Sequence, residues 1–268
     1  MRKFLFSIAM SAGVGFGSVS QAQVITVVNP SFEANFAPAG GFPVFVPTGW
    51  SLYDPGLPGN GAGIVNQNNN AVGVLNPAGT TFFVDPVPHG NNVALIYLEE
   101  RASNTIVLPG KMVGLSQTLT STLQLNTRYD LSVAVGNIAS GTGLGAYAGF
   151  GFADLSGFPG YRIELLAGGQ VVAADNNSLG AGIGEGRFAT ATVQFDVGNS
   201  HALAGQALGI RLINLNATGN LVERAREVDF DAVSLVASAV PEPETYALFT
   251  AGLGLILGLR ARRRVATS

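Results

Sequence analysis

The chain has 268 residues, 36 of them glycine, with only 12% charged residues and a formal net charge of −3. It has no Cys and two His, His89 and His201. Disulfides, iron–sulfur clusters, Cys-based zinc sites and Cys nucleophiles are therefore excluded, and multi-histidine metal sites and His-based triads are disfavoured.

The N-terminus opens with Met1, Arg2 and Lys3, followed by an apolar run through Val19 and small residues at Ser20 and Ala22. A positive start, an apolar stretch too short and glycine-rich to span a bilayer, and small residues before position 23 predict a secretory signal peptide over 1–22. From residue 24 the hydrophobic pattern has period two. Strands are expected over 24–28, 92–98, 113–119, 128–135, 161–167, 171–174, 188–197, 208–214 and 228–235. In 128–135, Tyr129, Leu131, Val133 and Val135 share one face. In 228–235, Val228, Phe230 and Ala232 are expected to point one way, and Asp229 and Asp231 the other. Gly168 and Gly169 mark a tight hairpin, while 55–79 and 136–160 read as long loops. Many strands, no helical stripe and no repeat predict an all-β fold: one antiparallel β-sandwich, a jelly roll, over 23–238.

The tail, 239–268, runs Pro241, Glu242, Pro243, then an apolar stretch over 246–259, then Arg260, Arg262, Arg263 and Arg264. As a helix that stretch measures about 21 Å against a bilayer core of about 30 Å, and the arginines would resist translocation. On physical grounds this is a short membrane anchor with the sandwich outside and the basic end inside. Six of the 14 basic and two of the 17 acidic residues lie in the two end segments. The sandwich is thus left at about −7, a poor match for nucleic acid.

The order of Pro-Glu-Pro, glycine-interspersed helix and arginine cluster over 240–264 resembles the PEP-CTERM sorting signal of exopolysaccharide-producing Gram-negative bacteria. The resemblance implies transient inner-membrane insertion, processing by an exosortase near Pro241–Pro243, and delivery to the cell surface or matrix. A second likeness lies in the sandwich. Asn29, Pro30, Ser31, Phe32 and Glu33 near the first strand, Gly49 and Trp50 after it, and Phe230 to Leu235 on the last resemble galactose-binding-like carbohydrate-binding modules. Pro30 and Ala232 depart from that family's pattern. This resemblance implies a structural Ca²⁺ held by Glu33 and Asp231, with Asp229 as the alternative ligand. Calcium takes six to eight oxygens, which carboxylates, carbonyls and Asn side chains supply.

Sugar binding would use aromatic faces beside polar groups, and Trp50, Tyr53, Tyr147, Phe152, Phe158 and Tyr161 are the candidates. Trp50 also fits a core role. His89 reads as an exposed turn residue. Glu99 and Glu100 are adjacent on a strand and would point to opposite faces, so they make no hydrolytic pair. The expectation is therefore a non-catalytic, exported protein that binds polysaccharide, with exopolysaccharide as its partner. The alternatives are a structural coat without a sugar ligand and a hydrolase with an unrecognised acid pair. Mass spectrometry of the mature protein from its host is expected to find neither 1–22 nor the arginine tail. Intact 260–264 in the extracellular pool would overturn the sorting reading.

Overall fold

The computed structural model describes residues 22–55, 66–67, 70–100, 112–217 and 224–240. The signal peptide up to position 21 and the tail from Pro241 onward, with Glu242, Pro243 and the four arginines, lie outside the described residues. So does most of the first half of the expected loop 55–79. Among the described residues no helix is long and apolar enough to cross a membrane.

The strands are β1 (Gln23–Ile25), β2 (Ser51–Tyr53), β3 (Asn66–Gln67), β4 (Asn70–Leu75), β5 (Val93–Glu100), β6 (Val113–Thr122), β7 (Thr127–Asn137), β8 (Gly141–Thr142), β9 (Phe152–Ala153), β10 (Tyr161–Ala167), β11 (Gln170–Asn176), β12 (Arg187–Val197), β13 (Ala207–Asn214) and β14 (Arg224–Ala239). They form two packed antiparallel sheets, as the period-two pattern requires. One runs β12-β7-β14-β5-β4-β3, with β1 also bonded to β14; the other runs β11-β10-β13-β6-β2. The core between them takes alternate residues from each strand: Tyr129, Leu131, Val133 and Val135 from β7, Ile163 and Leu165 from β10, Ile210 and Leu212 from β13, and Val228 and Phe230 from β14. The β10–β11 turn uses Gly168 and Gly169 at φ of 56° and 78°, which a side chain would resist.

Three expectations need correction. β4 lies inside the stretch read as a loop, because its six residues are too few to stand out amid Asn and Gly. It forms by pairing with β5, Val72 opposite Ile96 and Val74 opposite Ala94. The stretch 136–160 is not structureless. It extends β7 to Asn137, then builds the β8–β9 hairpin around a 3-10 helix over Gly145–Phe150. Finally, Ala232 does not continue the inward face of Val228 and Phe230. The β14–β7 register passes from Asp231 opposite Ala134 to Ser234 opposite Ser132, one extra residue on β14. Ala232 takes φ 48° at this bulge, so Val233 and Leu235 face the core beyond it.

β14 is the central strand. β7 bonds one edge along nearly its whole length, while β5 and then β1 bond the other. On β4, Gly73 lies under the crossing segment 43–45, with Val74 N donating to Pro43 O at 3.2 Å and Phe45 N to Val72 O at 3.0 Å. A Cβ at Gly73 would collide with Pro43 O, a backbone atom that cannot swing aside. Gly73→Ala is therefore expected to cost about 1–3 kcal/mol in denaturant melts. Gly149→Ala, whose Cβ meets open space, is expected to change little.

Candidate active site

The face of β14 opposite the core carries Glu227, Asp229 and Asp231, all three buried. Strand alternation puts residues i, i+2 and i+4 on one side. Here that side is the outer face of the larger sheet. The row through Asp229 reads Phe188 on β12, Gly136 on β7, Asp229, Leu95 on β5 and Gly73 on β4. Glu227 sits opposite Tyr97, and Asp231 opposite Ala134. The acids stay dry because loops cover this face. A second apolar cluster of Leu75, Phe82, Val93, Leu95, Ile138 and Leu155, edged by Phe42, Phe83, Tyr97 and Phe188, fills the space beneath them.

Among the described residues the Asp229 carboxyl meets no N–H or hydroxyl donor, and neither does Glu227 Oε1. The two carboxyls are close enough to raise each other's cost of ionisation, and a proton retained on the pair would relieve it. Both titrate well above the ordinary carboxylate range. Burial is the largest cause for each, and for Asp229 the neighbouring Glu227 adds to it. Asp231 is better solvated by backbone: its Oδ2 accepts from His89 N at 2.8 Å and its Oδ1 from Ala232 N at 2.6 Å. Burial still pushes it up to about 7, opposed by those two N–H groups and reinforced by the Glu33 carboxylate. A carboxyl kept protonated at neutral pH in an aromatic-edged site can deliver a proton to an electron-rich carbon.

The other sequence candidates are scattered. Glu33 lies near Asp231, its Oε1 accepting from Asn91 N at 2.8 Å and Asn92 N at 2.7 Å. Glu33 and Asp231 thus grip the same turn, on which His89 is exposed. Trp50 is buried in the main core, 5.5 Å from the Phe32 ring, and donates Nε1–H to Asn29 O at 3.2 Å. Tyr161 is also core, its hydroxyl on Asp175 Oδ2 at 2.6 Å, and Phe158 packs against the same core 6.2 Å from it. Tyr53 lies beneath the Arg211 guanidinium, 4.5 Å from the ring centroid. Tyr147 rests on Phe42, 4.6 Å away, and Phe152 is exposed. These side chains do not converge on one surface. Glu227 escaped the sequence reading altogether. Its signal was available: three acids at alternate positions with apolar residues between them place three carboxyls on one face of a strand.

Residues 23–236 match the family model described as HpiC1 cyclase, in the HpiC1-like family, and residues 239–264 match the PEP-CTERM protein-sorting motif. A Stig cyclase, Fisc, from Fischerella sp. TAU, solved with (3Z)-3-(1-methyl-2-pyrrolidinylidene)-3H-indole, is 34% identical with a TM-score of 0.64, over 82% of this chain and 100% of that one. A cyclase from Fischerella sp. TAU, solved with 4-(1H-indol-3-yl)butan-2-one, is 37% identical with a TM-score of 0.62, over 82% and 100%. An apo cyclase from Fischerella sp. is 35% identical with a TM-score of 0.62, over 82% and 98%. No curated protein matches. The sorting expectation stands: the chain is an exported, surface-directed exosortase substrate. The expectation of a non-catalytic protein is overturned, because the sandwich has a cyclase's fold and sequence. The β-sandwich part of the carbohydrate-binding-module expectation holds, and the comparisons lend no support to a polysaccharide partner.

The buried acids have a consequence for stability. A carboxyl whose pKa is raised on folding binds its proton more tightly in the native state than in the unfolded one. Its contribution is fully present below the ordinary carboxylate pKa of about 4 and is lost as pH rises through the folded value, near 7 for Asp231. The melting temperature is expected to fall between pH 5 and pH 8, and less steeply in Asp229→Asn. Identical profiles for the two proteins would contradict this assignment.

Proposed function

The chain belongs to the HpiC1-like cyclase family, and from that premise we propose that residues 23–236 catalyse an acid-initiated intramolecular cyclisation with Asp229 as proton donor. The observation that carries the reading is the buried Glu227–Asp229 pair on the loop-covered face of the sheet, where among the described residues neither Asp229 oxygen nor Glu227 Oε1 meets a donor. Asp229 has the setting of a donor, between apolar Leu95 and side-chain-free Gly136. The step is redox-neutral. The Asp229 carboxyl gives its proton to an electron-rich unsaturated carbon of the substrate, and the resulting cation is attacked by a second π bond of the same molecule, forming the ring bond. Loss of a proton from the cyclised cation returns Asp229 to its acid form. Glu227, whose burial raises its pKa to about 8, holds its own proton at neutral pH and can donate it as a hydrogen bond to the Asp229 carboxylate while that group is charged. Because two relatives were solved with indole compounds, the substrate class we propose is an indole-bearing or similarly electron-rich unsaturated molecule. Since Asp229 is sealed from water, the covering loops must part to admit it.

General-acid contributions of about 10²–10⁴ in rate are typical. Asp229→Asn is expected to lose activity on that scale while still binding 4-(1H-indol-3-yl)butan-2-one by calorimetry. Full activity in this variant would end the assignment.

We also propose a structural calcium at Glu33 and Asp231. Among the described residues no three His, Cys, Asp or Glu side chains converge, so amides and carbonyls would complete the shell. The fit is supported by two observations: the Glu33 carboxylate raises the pKa of Asp231, and among the described residues the buried Asn92 Oδ1 on the same turn meets no donor. A cation would relieve the repulsion and use the free oxygen. Asp229, engaged with Glu227, is the poorer ligand. Binding to the native state stabilises by about 2.7 kcal/mol at 100 times the dissociation constant. Chelation is expected to lower the melting temperature of the wild type and leave Asp231→Ala unchanged. A wild type indifferent to chelator would refute the site.

A further inference from the structure

The row through Asp229 is broken by glycine on both sides of the Asp229–Leu95 pair, at Gly136 and Gly73. The two glycines are filled differently. Gly73 is filled by the backbone of Pro43, which is fixed. Gly136 is filled by side chains. A Cβ built there would stand 2.6 Å from Phe188 Cε1 and 3.1 Å from Phe83 Cε1. The edges of two phenyl rings thus occupy the place of a side chain immediately beside the acid. The rings stack on each other with centroids 4.3 Å apart and planes at 21°.

The stack is held from behind by backbone. Val84 N and Asp85 N both donate to Gly186 O, at 2.8 Å and 3.2 Å. Asp85 Oδ2 accepts from Phe188 N at 3.1 Å, and Asp85 Oδ1 takes Arg187 Nη1 at 2.8 Å. One loop residue thereby locks the loop carrying Phe83 to the start of the strand carrying Phe188. Both rings are half-buried, so they reach from the sealed acid row toward solvent.

We infer that Phe188, seated in the notch at Gly136 and backed by Phe83, is a specificity-determining wall of the acid site. It sets the width of the slot beside the Asp229 carboxyl and offers a planar substrate ring a stack to join. This inference rests on the cyclase reading above. A ring packed only to fill space under a loop would affect stability and not ligand choice, so the two roles separate experimentally.

The test measures binding of 4-(1H-indol-3-yl)butan-2-one by calorimetry, together with thermal melting, on the full domain. Loss of one stacking partner is expected to weaken the probe about fivefold to tenfold in Phe188→Leu. Gly136→Ala, whose methyl drives Phe188 out of the notch, is expected to shift affinity in the same direction. Phe195→Leu, on the same strand but packed against the main core, is expected to leave affinity unchanged. Should Phe188→Leu fail to fold, Phe83→Leu removes the backing ring from a loop and decides the matter by the same readout. Unchanged affinity in these variants, with a wild type that binds, overturns the wall and leaves the cyclase reading intact. A wild type that does not bind the probe overturns the indole-directed reading and the wall with it.

Discussion

β14 is hydrogen-bonded on both edges, so it can neither slide nor rotate to choose which side chains it buries. Its pleat must serve two environments at once. The inner face gives Val228 and Phe230 to the core; the outer face presents Glu227, Asp229 and Asp231. A register slip of one residue would put three carboxyls into the main core and two large apolar side chains under the loops. That exclusion fixes the strand and, with it, the place of the acids relative to Leu95 on one side and Gly136 on the other.

Burying these carboxyls is costly, since each forgoes water and two share one site. The charge penalty is avoided where a proton is retained, as in the Glu227–Asp229 pair, and lessened at Asp231 by the N–H groups of His89 and Ala232. The core offsets what remains, with large side chains such as Tyr129, Tyr161, Phe32 and Phe230 buried without disulfide support. A desolvated titratable group set on a paired sheet is the arrangement expected of a site that performs chemistry.

The outer face of the larger sheet differs from that of an ordinary sandwich, where it would be polar and wet. Here it has its own apolar cluster, roofed by the segment around Phe42, the segment between β4 and β5, and the segment that follows β7. Two kinds of glycine shape that roofed space: one admits crossing backbone, the other admits phenyl rings. The sorting motif at the C-terminus directs this cyclase fold outward.

Much of the architecture was legible from residue pattern. Period-two runs at 128–135, 161–167 and 188–197, the Gly168–Gly169 turn and the absence of a helical stripe are local signals, and local sterics suffice to read them. The sorting tail was equally legible, because a receptor reads it as linear chemistry. The short strand β4 was not, since its stability comes from the partner edge of β5. Nor was the bulge at Ala232, which only pairing with β7 reveals. The candidate site needed more still. The sequence by itself determined that Glu227, Asp229 and Asp231 share one face of a strand. Only the tertiary structure decided that this face is dry, because loops distant in sequence cover it and Gly136 and Phe188 come beside Asp229 by strand pairing. Burial is set by every chain segment that packs nearby, and no local pattern carries that information.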